Sequence, residues 1–431
     1  MNVKCMQLTH VSQPITEPKS KALYMLPGEE ADLSPQNRNV REEHIKNPSP
    51  MRQKVVCPIF YACGGCDLLH IKYEEQLKLK QSYVMHLFSS LNYHQEIPIL
   101  KSEQMLNYRH KVVLSATTVN KKLKLGLYRE NSKEVIPYLN CFLHDVEAND
   151  LLVTIEQVMN QFKIPAYDIN THQGILKHVF IRKSYTSKDI MLVFVTQGNL
   201  LPNSKKMIQI IRSKHPRVKT VIQNIHHKHT HLVLLENEKI LFGKGFIIDQ
   251  IDDLKFVISS RSFYQINPKQ MMSLYQTALD MLDIKEHETI IDTYSGIATL
   301  SLLAAKKAKH VYAVEVNAKA HHDAILNKKE NNIDNITMIN QDVETYMIEH
   351  QGHVDGLIMD PTREGSTPSF LKALIKLKPK RVVYISCNPE TQVRDLKQLK
   401  DNYNILKVKA VDMFSQTDHV ETIALLSLNT L

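Results

Sequence analysis

The sequence places Cys387 where a thiol can do chemistry. It follows the apolar, β-branched run VVYIS (382–386), which is typical of a buried parallel strand, and precedes Asn388 and Pro389. Because proline interrupts regular structure, we expect the thiol at the C-terminal end of this strand, the place where open α/β sheets bind ligands. A cysteine in such a position is often only a small core residue. The other predicted strand ends therefore decide between core packing and catalysis.

A second pattern predicts a nucleotide-type cofactor. The segment DTYSGIAT (292–299) follows an apolar strand and opens a helix, so that Gly296 allows the backbone to approach a ligand closely. Glu315 comes nineteen residues later, at the end of the next predicted strand, where a carboxylate can accept both ribose hydroxyls. Asp342 follows the third strand and either contacts the adenine side or caps a helix. Because no complete GxGxxG is present, S-adenosylmethionine is favoured over a dinucleotide.

Two further carboxylates lie at predicted strand ends. Asp360 ends the run GLIMD (356–360) and is followed by proline, so it can orient a reacting group or the cofactor. Glu421 begins the apolar run ETIALLSL (421–428), where a role as a base is admissible. Chemically reactive ends on consecutive strands, at Asp360 and Cys387, favour catalysis over core packing for the thiol.

The chain has six cysteines, and their even number is compatible with three disulfides. In a long chain without a secretory signal, metal binding or catalysis is the favoured use of cysteine. Four of the cysteines are discussed below with the family resemblance, and Cys5 receives no role.

The hydrophobic periodicity predicts an α/β protein with three parts. Residues 1–56 are polar and weakly patterned, and 57–260 combine the clustered cysteines, a helix at 71–91 and short strands of a mixed, largely antiparallel α+β domain. From 261 to 431, strands and helices alternate, which predicts a doubly wound, Rossmann-like sheet with helices on both faces.

Charge and composition indicate a polyanion, such as a nucleic acid, as partner. The net charge is +9, and two segments concentrate it: residues 101–135 hold eight Lys or Arg against three Glu, and 201–245 hold nine against two. No apolar stretch reaches the length of a membrane span, and the N-terminus has no apolar signal region. We therefore expect a cytoplasmic protein that does not enter a membrane, acting as a monomer.

Eight blocks, in the same order, resemble the RNA uracil-5-methyltransferases and, within them, the iron–sulfur-containing 23S ribosomal RNA branch. They are CPIFYACGGCDLLHIKYEEQLKLK (57–80), NYRHKV (107–112), HVFIR (178–182), SFYQINP (262–268), DTYSGIATL (292–300), DPTREG (360–365), SCNP (386–389) and DMFSQTDHVE (412–421). The resemblance extends from about residue 47 to residue 431.

The resemblance implies a reaction and roles. In this chemistry a thiolate adds to uracil C6, C5 takes a methyl group from S-adenosylmethionine, a base removes the C5 proton, and the thiol is eliminated. By the match, Cys387 is the nucleophile and Glu421 the general base. Phe263 helps to hold a uracil that has left its stack. The implied cofactor-binding residues are Gln265, Tyr294, Glu315, Asp342 and Asp360.

The resemblance also implies a metal site. Cys57, Cys63, Cys66 and Cys141 match the family spacing of five, two and seventy-four intervening residues, and four thiolates suit a [4Fe–4S] cluster. A structural zinc site is the alternative, although zinc sites usually use two close pairs of ligands. The expected role is structural and close to the RNA.

The sequence departs from the family in three places. The usual Gly-x-Gly turn with its cysteine is here Ser295-Gly296-Ile297-Ala298, and Thr362 stands in Asp-Pro-Thr-Arg where the family has a second proline. The N-terminal segment is short, so we expect a degenerate, incomplete version of the small β-barrel (TRAM-like) that binds RNA in relatives. Two alternatives follow: a non-catalytic iron–sulfur RNA-binding protein with a decayed cofactor site, or a tRNA rather than a 23S rRNA methyltransferase.

Overall fold

The structure is a computed structural model that describes residues 2–9, 12–20, 22–32, 39–228, 230 and 232–429 of the 431-residue chain. In chain order, its strands are β1 (Asn2–Leu8), β2 (Pro14–Glu17), β3 (Glu30–Asp32), β4 (Ile45–Lys46), β5 (Ile99–Leu100), β6 (Lys111–Val119), β7 (Lys122–Tyr128), β8 (Val135–Pro137), β9 (Leu176–Lys183), β10 (Ile190–Thr196), β11 (Val218–Ile225), β12 (Glu238–Phe242), β13 (Phe246–Ile251), β14 (Leu254–Ser259), β15 (Thr289–Asp292), β16 (His310–Val314), β17 (Ile336–Ile339), β18 (Gly356–Met359), β19 (Arg381–Ser386), β20 (Tyr403–Val411) and β21 (Glu421–Leu428).

The helices are α1 (Tyr73–Ser89), α2 (Val146–Gln161), α3 (Ser204–Lys214), α4 (Pro268–Leu282), α5 (Thr299–Ala305), α6 (Ala318–Glu330), α7 (Val343–Glu349), α8 (Pro368–Leu377) and α9 (Pro389–Leu399). None of the described helices is both long enough and apolar enough to span a membrane.

The chain divides into two compact units, each discontinuous in sequence. Unit 1 comprises residues 1–105, 269–294 and 342–431, and unit 2 comprises 106–268 and 295–341. The sequence patterns divided the chain into the segments 1–56, 57–260 and 261–431. That division stays a prediction about domain organisation.

Unit 1 begins with a small antiparallel sheet in the order β2-β1-β3-β4. Its apolar side is closed by buried residues such as Val3, Met25 and Ala31. A fully buried Glu29 accepts two hydrogen bonds from the Arg52 guanidinium, at 2.5 and 2.6 Å, which pairs the buried charge. The N-terminal segment is thus more regular than its weak sequence pattern predicted.

The strands of unit 1 that carry the site lie in the order β15-β18-β19-β21-β20-β5. β15, β18 and β19 are parallel, whereas β21 runs antiparallel to both β19 and β20. β18 and β19 are almost continuously buried, as expected for strands covered on both faces.

Unit 2 is built on a sheet in the order β12-β11-β10-β9-β6-β7-β8, in which only the pair β10–β11 is parallel. Apolar side chains of α2 and α3 pack in its hydrophobic core. The unit also contains the hairpin β13–β14 and the parallel pair β16–β17. The mixed, largely antiparallel α+β character predicted for the centre of the chain is present here.

Two local predictions are wrong. Pro389 does not interrupt regular structure: it is the first residue of α9, a position that suits its fixed φ and its missing N–H. The run HLVLLE (231–236) is one of the short apolar runs that predict strands between 57 and 260, yet its described part, 232–236, is irregular. The Asn224 side chain exchanges two hydrogen bonds with the Leu235 backbone there, so a side-chain amide takes the place of a strand ladder.

Candidate active site

Three predicted site residues meet at one edge of the unit 1 strands. Asp360 directly follows β18, Cys387 directly follows β19, and Glu421 is the first residue of β21. The register pairs Ser386 with Thr422, so the residues next to them, Cys387 and Glu421, lie at the same level of the sheet. Parallel and antiparallel neighbours thus bring a thiol and two carboxyls together.

The turn that carries Cys387 is rigidly built. The Ser386 hydroxyl accepts a hydrogen bond from the Asn388 N–H at 3.1 Å and donates one to the Asn388 carbonyl at 3.0 Å. Asn388 then caps α9, and its amide donates to the Arg363 carbonyl at 3.2 Å. The cysteine therefore sits between a strand end and a capped helix start, held against the turn that follows Asp360.

Burial and mutual repulsion set the proton affinities of the three groups. Desolvation raises the pKa of Asp360 to about 7, with a further contribution from the nearby Asp292 carboxyl. Desolvation raises the pKa of Glu421 to about 8, and Asp360 adds to that shift. These values put both carboxyls in the range where a group can take up and release protons near neutral pH.

The thiol is protonated at rest. Desolvation and, after it, the Glu421 and Asp360 carboxyls raise the pKa of Cys387 to about 11, against the opposing effect of the Arg363 guanidinium. A protonated thiol needs a proton acceptor when it reacts as a nucleophile. Glu421 and Asp360, whose charges raise the pKa of Cys387, are the candidate acceptors.

Cys387 opens into a cavity of about 210 Å³ within unit 1. The lining is largely polar and includes side chains that sequence analysis did not assign to the site: Lys80, Tyr83, Arg363, Glu390, Asp418 and His419. Arg363 was quoted as part of a family block, so its retention in Asp-Pro-Thr-Arg was the available signal. Nothing in the local pattern of α1 indicated that Lys80 and Tyr83 would reach this cavity.

A second cavity of unit 1, of about 970 Å³, is lined by Tyr294 and Asp342 together with Arg363 and Arg394. Burial raises the pKa of Tyr294 to about 12, and its ring lies 5.5 Å from that of Phe370, centroid to centroid. Asp342 also caps α7, accepting a hydrogen bond from the Thr345 N–H at 3.0 Å. Both interpretations offered for Asp342, as a cap and as a residue beside a cofactor space, are thus compatible with its position.

The glycine turn and its acid belong to unit 2. The Glu315 carboxylate accepts hydrogen bonds from the Gly296 N–H at 2.9 Å and from the Asn317 N–H at 2.7 Å. Open space lies where a side chain on Gly296 would point, which leaves room for a ligand beside the turn. Glu315 is half-buried, so its oxygens remain within reach of a ligand while they shape the turn.

Ala298, the departure from the family turn, has φ 65° and ψ 29° and is fully buried. This left-handed conformation explains a glycine preference at that position, because a Cβ is strained there. The turn of this chain nevertheless adopts the conformation with alanine.

Two other predicted residues lie in unit 2. Gln265 is buried, whereas the Phe263 ring two residues earlier is 64% exposed. An exposed aromatic side chain is available for stacking on a base.

The structure does not assemble the predicted metal site. Cys57, Cys63 and Cys66 are half-buried in unit 1, and Cys141 is half-buried in unit 2. Among the described residues, no group of three or more His, Cys, Asp or Glu side chains is arranged to hold a metal ion. No catalytic step is assigned to a cluster.

The fold is that of a mixed α/β methyltransferase. A crystal structure of the Pyrococcus abyssi tRNA (uracil-54, C5)-methyltransferase in complex with S-adenosyl-L-homocysteine superposes with a TM-score of 0.80 over 99% of each chain, at 24% identity. That similarity confirms the predicted mixed α/β methyltransferase fold.

The sequence comparison identifies the family. The family model described as tRNA (Uracil-5-)-methyltransferase matches residues 72–429. An uncharacterized RNA methyltransferase of Oceanobacillus iheyensis is 36% identical, covering 98% of this chain and 95% of the relative. Another, of Halalkalibacterium halodurans, is 37% identical, covering 88% of this chain and 84% of the relative. The chain therefore belongs to the tRNA (uracil-5-)-methyltransferase family, and the prediction of an RNA methyltransferase is confirmed.

Proposed function

We propose that this enzyme methylates C5 of uracil in RNA, with Cys387 as nucleophile and Glu421 as general base. The observation that carries the proposal is the convergence of Cys387, Asp360 and Glu421 at one end of neighbouring strands, with Cys387 open to a cavity. Uracil C5 is a poor nucleophile, and a thiol placed to add at C6 is the group that activates it.

The proton affinities support an order of events. The Cys387 proton must leave as sulfur bonds to C6, and Asp360, whose pKa lies near neutrality, is the acceptor that leaves the Glu421 carboxylate free for the last step. C5 then bears the electron density that takes up a methyl group. In the last step the Glu421 carboxylate removes the C5 proton, the C5=C6 double bond re-forms, and the C6–S bond breaks to return the Cys387 thiolate.

S-adenosylmethionine supplies an electrophilic methyl group when bound. In unit 1, Tyr294 and Asp342 line a cavity of a volume suited to a cofactor-sized ligand, and Asp360 stands at the neighbouring strand end. In unit 2, Gln265 and Glu315 are the residues proposed to bind it, with the open side of Gly296 as room for the ligand.

The nature of the RNA is proposed on two grounds. The cysteine motif favours 23S rRNA through the family resemblance, whereas the matched family model is named for tRNA. We propose 23S rRNA as the principal substrate, with tRNA as the second candidate.

The [4Fe–4S] cluster on Cys57, Cys63, Cys66 and Cys141 is likewise a proposal, and it rests on the match of their spacing to the family. Analysis of iron and sulfide after anaerobic purification distinguishes it from zinc.

The test is methylation of unmodified RNA. Purified enzyme with methyl-labelled S-adenosylmethionine should label 23S rRNA transcribed in vitro, and nuclease digestion should return the label as 5-methyluridine. Cys387→Ala should abolish labelling. The Cys5→Ala variant, which changes a cysteine of the N-terminal sheet, serves as the matched control and should retain labelling.

Two outcomes are decisive. RNA containing 5-fluorouridine should form a covalent complex with the wild type that survives denaturing electrophoresis, because fluorine at C5 cannot be removed as a proton. Failure to label any rRNA or tRNA would refute the methyltransferase activity, and labelling without the covalent complex would refute the thiol mechanism. Labelling of tRNA alone would overturn the assignment to 23S rRNA.

A further inference from the structure

The loop that connects β20 to Glu421, residues 412–420, is unusual because it is polar and buried. Asp412 and Ser415 are fully buried, and Gln416 and Thr417 nearly so. Buried polar groups need hydrogen-bond partners. Many of those partners come from the far end of the sequence, in residues 67–80 of the same unit.

The strained point of the 412–420 loop is Gln416, whose φ is 71°. A left-handed conformation at a residue other than glycine costs about 1 kcal/mol and persists only where its surroundings hold it. The Gln416 carbonyl accepts hydrogen bonds from the Asp67 and Leu68 N–H groups, each at 3.0 Å. Two more bonds join it to Gln76 on α1: the Gln76 amide donates to Gln416 Oε1 at 2.9 Å and accepts from the Gln416 N–H at 3.2 Å.

The start of the loop is held by the same helix. The Lys80 ammonium donates to the Asp412 carboxylate at 2.5 Å, and the Tyr73 hydroxyl donates to it at 2.7 Å. Tyr73, Gln76 and Lys80 are spaced by three and four residues, so they lie on one face of α1. One face of a helix thus binds both the beginning and the strained middle of the 412–420 loop.

We propose that Gln76 is a positioning residue for the general base Glu421, acting through Gln416. The backbone of Glu421 is fixed on one side by pairing with Val411 across the hairpin, and on the other by the 412–420 loop that closes it. Gln76 is fully buried, lies on the helix rather than in the substrate cavity, and binds the residue whose conformation sets the path of the loop. This inference rests on the proposed function.

The chemistry predicts a specific defect. Addition of Cys387 to C6 and methyl transfer to C5 do not require removal of the C5 proton, whereas elimination does. If Glu421 is displaced, its carboxylate cannot take that proton, the electron pair of the C5–H bond cannot re-form C5=C6, and the C6–S bond stays intact. The enzyme should stall as a covalent complex with methylated RNA.

The experiment uses the full-length enzyme with ordinary uridine RNA and S-adenosylmethionine. Gln76→Met keeps the volume and removes the amide, and we expect kcat to fall by about 10-fold or more, within the range for general-base catalysis. A large fraction of the enzyme should migrate as a covalent RNA complex on denaturing gels. The rate of complex formation with 5-fluorouridine RNA, which needs no proton removal, should stay within about 2-fold of wild type.

Two further variants separate positioning from stability. Gln81→Met removes a glutamine of the same helix that donates to the Ile97 carbonyl, away from the 412–420 loop, and should not accumulate the complex. Gln416→Gly in the Gln76→Met background removes the need to hold a strained residue, and should restore turnover at least 3-fold. If Gln76→Met does not fold, Gln416→Asn tests the side-chain half of the link: asparagine tolerates the left-handed conformation and is too short to accept from the Gln76 amide, while the bond from the backbone N–H of residue 416 to Gln76 stays.

The outcomes distinguish the two hypotheses. If the wild type neither methylates uridine RNA nor traps 5-fluorouridine RNA, the proposed function fails. If the wild type does both, the positioning role is overturned by a Gln76→Met enzyme that turns over normally, or by one in which turnover and 5-fluorouridine trapping fall together. Accumulation of the complex by Gln81→Met would equally overturn it.

Discussion

At the scale of single residues, the site is a group of acids that resist ionisation. Desolvation disfavours ionisation of both Asp360 and Glu421, the Asp360 carboxylate adds to that effect on Glu421, and both carboxylates disfavour the Cys387 thiolate. Buried carboxyls of this kind lower the free energy of unfolding at neutral pH. Because their pKa values lie near 7 and 8, they can also accept and release protons there. If the three groups act as proposed, function and stability are in opposition at these positions.

The first prediction concerns the pH dependence of stability. The folded-state pKa of Glu421, about 8, lies above the ordinary value of 4.5 for glutamic acid. Between these two pH values the folded state holds a proton that the unfolded state has released, so the free energy of unfolding falls as pH rises through this window. Glu421→Gln should therefore raise the free energy of unfolding by about 4 kcal/mol at pH 8 and leave it nearly unchanged at pH 4.5.

Thermal unfolding of both proteins at the two pH values checks this. Glu390→Gln, which alters a glutamate that is exposed at the start of α9, is the matched control and should not show the pH-dependent gain. A gain for Glu421→Gln that is equal at both pH values would contradict the assignment of a raised pKa.

The second prediction concerns thiol reactivity. An ionised Glu421 raises the pKa of Cys387, whereas Arg363 lowers it. Because the thiolate is the form that reacts, Glu421→Gln should speed alkylation of Cys387 by iodoacetamide at pH 9 by several-fold, and Arg363→Met should slow it. Mass spectrometry of the peptide containing Cys387 gives the rate. Equal alkylation rates in the two variants would show that neither charge acts on the thiol.

At the scale of elements, the site depends on strand ends and on the turns that follow them. The apolar runs 356–360 and 382–386 predicted their strands, and the ends of β18 and β19 do present Asp360 and Cys387. Glu421 is brought to the same edge by an antiparallel strand, β21, whose partner β20 was not predicted. Strand order is set by pairing between distant segments, and one sequence contains no direct record of it.

What the sequence could not reveal has a common physical origin. The conformation of Gln416 is fixed by residues 67–76, more than three hundred positions earlier in the chain. The irregular path near Leu235 is fixed by the Asn224 amide. Pro389 can interrupt an element or begin one, and Asn388 as a helix cap decides for the second. In each case a long-range or side-chain hydrogen bond overrides the local pattern.

The third prediction tests the glycine turn at 295–298, which precedes α5. Ala298 caps α5 in a left-handed conformation, so Ala298→Gly removes a strain of about 1 kcal/mol, partly offset by the greater entropy of glycine in the unfolded chain. We expect the free energy of unfolding to rise by roughly 0.5 kcal/mol. The same substitution at Ala304, inside α5, should lower it by about 1 kcal/mol or more.

Denaturant unfolding at equilibrium measures both variants. If Ala298→Gly is as destabilising as Ala304→Gly, packing of the buried Ala298 methyl group outweighs the backbone strain, and alanine is the better residue for this turn.

At the scale of the whole molecule, charge is the property that matters most for an RNA enzyme. The net charge of +9 is not spread evenly, because residues 201–245 of unit 2 hold nine Lys or Arg against two Glu. Lys205 and Lys206, in the first turn of α3, are exposed. Exposed lysines bind the phosphate backbone by releasing counterions, which gives affinity without sequence preference.

The last prediction separates RNA binding from base handling. Lys205→Gln/Lys206→Gln should weaken binding of rRNA and tRNA to a similar extent and reduce the slope of log K against log salt by about 1.4, the value for two phosphate contacts on single strands. Lys372→Gln/Lys376→Gln on α8 removes the same charge outside the two basic segments, and should leave the slope unchanged. A different result is expected for Phe263→Ala. RNA affinity and the salt slope should stay as in the wild type, whereas kcat should fall, because an exposed ring that stacks on a displaced base acts after the RNA is bound. Filter binding at several salt concentrations, with turnover measured in parallel, gives all three results. A slope that is the same for the Lys205/Lys206 and Lys372/Lys376 variants would mean that RNA binding depends on total charge, and that the basic segment of unit 2 is not its contact surface.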